Sequence, residues 1–202
     1  LNWFLNSKGI STALSLLARG VSDPTYRAQC ITGPYGSGKS ALALYFSKLM
    51  DRNSRSSMRS KAAHKWVDVE YIVTPTRSNG YLTILGTGRR ENISACLLRS
   101  LKKSLEQSHR SDLLNKLADS DIDLNAIGND SSKLLTVFEK LAKFEVAKGK
   151  SIGIMILIDE LGKLLEYAAQ NPSDSDIHVL QELAELSSRS SKYPIWFITC
   201  LL

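Results

Sequence analysis

The chain has 202 residues, a net charge of +6 and an apolar content of 43%. This length suits one domain with a sizeable core, or one domain and part of another. No segment holds the roughly 18 consecutive apolar residues of a membrane span, and the first residues lack the basic region and cleavage site of a signal peptide. These features predict a cytoplasmic protein that does not bind a membrane.

The three cysteines, Cys30, Cys96 and Cys200, lie far apart in apolar segments. An odd number of dispersed cysteines is typical of reduced thiols in a cytosolic protein. We therefore expect reduced core thiols, and neither a disulfide framework nor a zinc site.

The first predicted element is a helix over residues 10–19, with Gly20 just beyond its end. Asp23 and Pro24 then interrupt the chain before the first strand. Residues 1–25 are therefore predicted to form a helical lead-in to the domain.

A candidate phosphate-binding loop follows a predicted strand over residues 28–32. The segment from Gly33 to Ser40 fills every fixed position of G-x-x-x-x-G-K-[ST], and a helix apolar on most sides, hence expected to be buried, is predicted over residues 41–50. The alternative is a glycine-rich turn that matches the pattern by chance. The predicted cofactor-binding residues are Gly33, Pro34, Tyr35, Gly36, Ser37, Gly38, Lys39, Ser40 and Ala41.

The residue types of this loop suit a nucleoside triphosphate. Glycines let the backbone curl, so that successive N–H groups point at phosphate oxygens near a helix N-terminus. Lys39 can then reach the β- and γ-phosphates, and the Ser40 hydroxyl can bind Mg²⁺.

Positive charge is concentrated after this helix. Five basic residues fall within residues 51–65: Arg52, Arg55, Arg59, Lys61 and Lys65. The segment is serine-rich without clear periodicity, which favours a solvated loop over a nucleic-acid contact. The net charge permits an anionic partner without requiring one.

Two strands are predicted next, over residues 66–73 and 81–85, with a turn signal at Asn79 and Gly80 between them. They could form a hairpin, or the second could enter a parallel sheet as a single strand. Periodicity does not distinguish these alternatives.

Helices are predicted over residues 92–107, 112–118 and 132–148. The apolar stripes expected to face the core are Ile93, Leu97, Leu101 and Leu105 in the first, and Leu134, Phe138 and Leu141 in the last. The acidic loop over residues 119–125 resembles a calcium loop, but Leu124 stands where glycine is needed, which argues against calcium.

The segment over residues 151–158 is apolar on both faces, which predicts a strand in a parallel sheet covered by helices on both sides. Helices over residues 160–170 and 176–189 follow, the second with Ile177, Leu180, Leu183 and Leu186 facing inward. A final apolar strand over residues 194–202 predicts a fragment of a longer protein. The alternation predicts an α/β fold, a three-layer αβα sandwich with a mostly parallel sheet.

Asp159 and Glu160 stand at the carboxyl end of that apolar strand, at the edge where ligands bind in open α/β sheets. An apolar strand that ends in aspartate is the Walker B pattern, whose carboxylate holds Mg²⁺. Glu160 is the candidate to orient or deprotonate the attacking water. The alternatives are that Asp159 caps the next helix, and that Glu160 stabilises the dipole of its first turn.

The two motifs, GPYGSGKS and IMILIDE, resemble those of P-loop ATPases of the AAA+ and STAND type, especially large prokaryotic ATPases. The resemblance covers residues 29–202 and implies the P-loop NTPase fold with ATP and Mg²⁺ as cofactors. It also implies that the final strand lies between the two motif strands, with Thr199 as its polar "sensor 1" residue. A helical lid with its sensor 2 arginine is missing, and Arg89 and Arg90 are not assigned as arginine fingers.

Three functions remain open. The first is an ATPase core, spanning residues 1–202, that couples hydrolysis of Mg·ATP to remodelling or movement of a partner, with nucleic acid as a candidate. A homo-oligomer of the chain is a separate possibility. The second is a nucleotide-gated STAND-type switch or scaffold with slow turnover. The third is a small phosphotransferase, for which the sequence shows no acceptor-binding signature.

Overall fold

A computed structural model describes residues 8–53, 80–108, 112–113, 117 and 131–201. Several predicted segments lie wholly or largely outside these residues. They are the strand over residues 66–73, the acidic loop over residues 119–125, and most of both the basic segment and the short helix over residues 112–118.

Six helices and four strands make up the regular structure of the described chain. In chain order they are α1 (Lys8–Ala18), β1 (Ala28–Thr32), α2 (Lys39–Met50), β2 (Leu82–Thr87), α3 (Ile93–Gln107), α4 (Ser131–Ala147), β3 (Ile154–Asp159), α5 (Leu161–Gln170), α6 (His178–Arg189) and β4 (Ile195–Leu201). Three-residue 3₁₀ turns follow α1, precede β1 and follow α5.

The four strands form one sheet in the order β1-β4-β3-β2, and every pair is parallel. The last strand, β4, therefore lies between β1 and β3, as the resemblance implied. β2 pairs in parallel with β3, so it enters the sheet as the single strand that periodicity could not establish. The carboxyl ends of all four strands consequently meet at one edge.

Helices cover both faces of this sheet, and each face has its own apolar core. On one face, α1 and α2 pack on Met155 and Leu157 of β3 and on Trp196 and Ile198 of β4. On the other, α3, α4, α5 and α6 pack on the alternate residues of the same strands. The architecture is α/β with a parallel sheet, because strands that are apolar on both faces need helices on both sides.

Trp196 is the largest side chain of the smaller core. Its ring lies edge-on to Phe46 of α2 and to Tyr81, with centroid distances of 5.4 and 5.5 Å. A Cβ on Gly20 would lie 2.6 Å from the indole, so the turn after α1 needs glycine to pack here. This contact ties α1 to the centre of the sheet.

Three predictions of burial are wrong. Ile177 is 51% exposed, because α6 begins at His178, two residues later than predicted, and Val179 takes the buried position. Leu44 is 49% exposed, so α2 has a solvent-facing side and is not buried all round. Cys30 is exposed because β1 lies at one edge of the described sheet, whereas Cys96 and Cys200 are buried.

Candidate functional site

The candidate phosphate loop joins the carboxyl end of β1 to the first residue of α2, Lys39. Gly36 and Gly38 have φ values of 76° and 87°, in the left-handed backbone region that residues with a side chain rarely adopt. Gly38 is the residue before α2, and no side chain caps that helix end. The N-terminal N–H groups of α2 are therefore left for another hydrogen-bond acceptor.

Lys39 folds back over this loop. Its ammonium donates hydrogen bonds to the carbonyl oxygens of Gly33 and Pro34, at 2.6 and 2.8 Å. The positive charge is thus held at the mouth of the loop, beside the backbone that leads into α2.

Ser40 and Asp159 meet at the same edge of the sheet, although 119 residues separate them in the chain. The Ser40 hydroxyl donates to Asp159 Oδ1 at 3.0 Å, and the N–H of Glu160 donates to the same oxygen at 2.9 Å. Asp159 is the last residue of β3, and the backbone N–H that it accepts belongs to Glu160, which precedes α5, so Asp159 does not cap this helix. Two oxygen atoms of the kind that bind Mg²⁺, the Ser40 hydroxyl and an Asp159 carboxylate oxygen, therefore lie together, one from each predicted motif.

Glu160 links β3 to α5 with φ 56° and ψ 44°. It is the only non-glycine residue with a positive φ in the part of the chain that the structure describes. Because it precedes the first turn of α5, it does not act as a first-turn glutamate. Its side chain is 42% exposed and forms an ion pair with Lys163.

Thr199 is not brought into this group. Ile195 and Phe197 belong to the core under α3 to α6, whereas Trp196, Ile198 and Cys200 face α1 and α2. Alternation along β4 therefore puts Thr199 on the face away from Ser40 and Asp159.

Cys200 is the residue of β4 that faces Asp159, and sequence reasoning missed it. Burial, followed by the negative charge of Asp159, raises the pKa of the Cys200 thiol to about 12. The thiol consequently stays neutral beside the carboxylate. Counting alternate positions forward along the predicted strand from Trp196 was the available signal.

A tight turn after β2 borders the site on its other side. The N–H of Gly88 donates to the carbonyl oxygen of Asp159 at 2.7 Å, and a Cβ on Gly88 would lie 2.4 Å from the carbonyl oxygen of Glu160. Arg99 of α3 donates to the Thr87 carbonyl at 3.0 Å and pairs with Glu91. The turn is thereby fixed at both ends, and it carries the exposed Arg89 and Arg90 that the sequence left unassigned.

A cavity of about 550 Å³ opens between the phosphate loop and α1. Gly9, Ile10 and Ala13 of α1 form one wall, and Ile31 with the loop backbone forms the other. Its volume falls in the range of small-molecule sites. The helical lead-in therefore contributes directly to the candidate site, which its sequence did not indicate.

Among the described residues, no three His, Cys, Asp or Glu side chains cluster in a way that could hold a metal by themselves. No helix in the described ranges has both the length and the apolar composition to cross a membrane. The chain matches no protein-family model, no curated protein and no solved structure.

Proposed function

We propose that this chain is a P-loop ATPase core that binds and hydrolyses Mg·ATP. The observation that carries the proposal is the 3.0 Å contact between Ser40 and Asp159, because it joins the end of the glycine loop to the carboxylate of the second motif. Mg²⁺ in phosphate-transfer sites is held by few protein oxygens and by the substrate phosphates. A hydroxyl and a carboxylate fit that requirement.

In the proposed complex the N–H groups of Gly33–Ala41 and the Lys39 ammonium hold the phosphates. To reach the phosphates, the Lys39 ammonium must break its hydrogen bonds to the carbonyl oxygens of Gly33 and Pro34. Its positive charge already lies at the mouth of the loop. Ser40 and Asp159 hold the metal. Bound Mg·ATP would supply the reactive γ-phosphoryl group and the charge that neutralises its oxygens.

Glu160 is proposed as the general base that orients a water molecule and accepts its proton. It follows the metal-binding aspartate directly, so its carboxylate is anchored beside the site. The ion pair with Lys163 is exposed, and exposed pairs are worth only about 0–1 kcal/mol. Breaking the ion pair, so that Glu160 is free to accept the proton, therefore costs little free energy.

The remaining parts of the proposal rest on the resemblance to AAA+ and STAND ATPases. They are the P-loop NTPase fold, the choice of ATP, and the coupling of hydrolysis to remodelling of a partner. The order β1-β4-β3-β2 supports the first of these, because it puts β4 between the two motif strands.

Phosphate release and nucleotide affinity test the proposal together. We expect Lys39→Ala to lower the affinity for Mg·ATP at least tenfold, and Glu160→Gln to keep that affinity while losing turnover about a hundredfold. The exposed Lys48, on the same helix as Lys39, provides the matched control Lys48→Ala. Undiminished affinity in Lys39→Ala would rule the assignment out.

A nucleotide-gated switch with slow turnover is the second candidate function. The observation that supports it is the ion pair between Glu160 and Lys163, since this contact must break before Glu160 can accept a proton. Light scattering with and without Mg·ATP separates the candidates. A change of oligomeric state without sustained phosphate release supports the switch.

A further inference from the structure

A second cavity lies at the opposite end of the sheet from the phosphate loop. It has a volume of about 470 Å³ and lies between α4 and the turn that joins α6 to β4. Ile195, the first residue of β4, forms part of its wall. Since parallel strands rise about 3.3 Å per residue, the length of β4 puts this cavity on the order of 20 Å from the candidate ATP site.

The rim of this cavity is strongly basic. Four cations line it against a single carboxylate, Glu139; they are Lys140, Lys143, Arg189 and Lys192. This surplus of three positive charges is half of the +6 of the whole chain, within a cavity lined by ten residues. Helix α4, the last residue of α6 and the turn after α6 supply the cations, so their convergence is a property of the fold and not of one basic segment.

The interior of the cavity is apolar and includes an aromatic ring. Leu186 and Ile195 are 4% and 1% exposed, and Tyr193 is half-buried beside them. The Lys192 ammonium lies over the Tyr193 ring, 5.4 Å from its centroid, so a base that stacks on this face displaces it. An aromatic face next to cations is the arrangement on which unpaired bases stack while their phosphates are neutralised.

We propose that this cavity binds single-stranded nucleic acid, with a base against Tyr193 and neighbouring phosphates on the basic rim. An acidic peptide is less well matched, because only Arg189 offers the planar fork that pairs with carboxylates. Lysines, which make up the rest of the basic rim, act as point charges that tolerate the varied orientations of a phosphate backbone. The proposal does not rest on the ATPase assignment, because no residue of this cavity belongs to the candidate ATP site.

Fluorescence anisotropy with a labelled oligothymidine of about eight nucleotides tests this proposal, in buffer that contains EDTA and no ATP. The triple variant Lys143→Gln, Arg189→Gln and Lys192→Gln is expected to weaken binding at least tenfold. It should also lower the slope of log affinity against log salt by about 2, since each lost phosphate contact on a single strand accounts for about 0.7. Tyr193→Leu should weaken binding at least fivefold with the slope unchanged.

Two variants of equal charge loss serve as controls. One neutralises exposed lysines elsewhere, at Lys48, Lys103 and Lys133. The other neutralises the competing basic segment, at Arg55, Arg59 and Lys61. We expect both to keep at least a third of the wild-type affinity, and Lys39→Ala to bind the oligonucleotide as wild type does.

Several results would overturn the proposal. The first is that the wild-type protein does not measurably bind the oligonucleotide. The second is that either control variant loses as much oligonucleotide affinity as the triple cavity variant. The third is that Tyr193→Leu binds the oligonucleotide as tightly as wild type does. Equal affinity for a poly-glutamate peptide would assign the cavity to acidic proteins instead. Equal affinity for thymidine monophosphate would assign it to free nucleotides. Melting temperatures of all variants, compared with wild type, show whether a loss of binding reflects unfolding.

Discussion

Glu160 combines the proposed role of general base with a backbone conformation that residues bearing a Cβ rarely adopt. Its φ of 56° lies in the left-handed region, where a non-glycine residue is strained by about 1–2 kcal/mol. The sharp exit from β3 that this conformation provides turns the chain directly into α5. We therefore expect the strain at Glu160 to lower the free energy of unfolding, while the same conformation places the Glu160 carboxylate at the candidate site.

Replacing Glu160 by glycine and by alanine should separate the strain from the loss of the carboxylate. Both variants lose the side chain and its ion pair, but only glycine removes the Cβ. We expect Glu160→Gly to be about 1 kcal/mol more stable than Glu160→Ala in urea unfolding, with turnover lost in both. Equal stabilities would show that the left-handed conformation carries no strain.

Gly88 packs directly against the backbone of Glu160. A Cβ there would lie 2.4 Å from the carbonyl oxygen of Glu160, so Gly88→Ala must displace the end of β3. We expect a loss of about 1–3 kcal/mol in urea unfolding, accompanied by lower turnover. Gly162→Ala is the control, since its Cβ would meet only Leu201 at 3.8 Å and alanine favours helix.

The raised pKa of the Cys200 thiol predicts that the protein becomes less stable at alkaline pH. Burial raises the pKa of this thiol to about 12 in the folded chain, whereas the ordinary pKa of a solvated thiol, as in the unfolded chain, is 9.0. Between pH 9 and pH 12 the unfolded state releases a proton that the folded state retains, so the free energy of unfolding falls as pH rises. The slope from this group approaches about 1.4 kcal/mol per pH unit.

The measurement is urea unfolding between pH 8 and pH 11, for wild type and for two alanine variants. Cys200→Ala should have a shallower decrease than wild type. Cys30→Ala should match wild type, because Cys30 is exposed. A decrease that is as steep in Cys200→Ala as in wild type would contradict the assigned role of burial.

At the scale of the elements, the N-terminus of α3 is capped from another part of the chain. Asp176 is buried and accepts hydrogen bonds from the N–H groups of Ile93 and Ser94, at 3.0 and 2.7 Å. This carboxylate joins α3 to the segment before α6. The sequence placed Asp176 at the start of its own helix, since a side chain that caps a distant helix leaves no local pattern.

Asp176→Ala should therefore destabilise the protein more than a surface substitution does. It leaves two buried N–H groups without their acceptor, which costs about 1–3 kcal/mol. Asp174→Ala, an exposed neighbour, is expected to change the free energy of unfolding by less than about 0.5 kcal/mol. Similar losses in the two variants would show that the cap contributes little.

Local patterns predicted most of the elements. The stripes of α3 and α4 fall on buried residues because a period of 3.6 over three or more turns leaves one face for the core. The pairing of β2 was not predictable, since parallel or hairpin pairing depends on β3, which lies about seventy residues later in the chain. Ile177 was misplaced because the start of a helix is fixed by its first hydrogen bonds and not by apolar spacing.

At the scale of the whole molecule, strand order brings the two motifs together. β4 separates β1 from β3, and all three strands end at one edge, where Lys39, Ser40 and Asp159 lie. The sequence predicted these residues from their spacing and residue type. It did not predict that Cys200 would face them in place of Thr199, or that α1 would wall the adjacent cavity, because both depend on three-dimensional packing.

The opposite edge of the sheet is held by a buried ion pair. Arg52 donates to Glu145 Oε2 at 2.5 Å, and the Ser151 hydroxyl donates to the same oxygen at 2.7 Å. Because the Glu145 side chain is fully buried, loss of either charge would leave the other without compensation. This network ties α4 to the segment that follows α2, away from the candidate ATP site.

The affinity for ATP, measured by calorimetry in Ser40→Ala, Asp159→Asn and the double variant, tests most directly whether the two motifs share one magnesium ion. With Mg²⁺, each single variant should bind ATP at least tenfold more weakly than wild type, and the double variant about as weakly as the weaker single one. Without Mg²⁺, all four proteins should bind alike. Additive losses in the double variant, or undiminished affinity in either single one, would contradict a shared site.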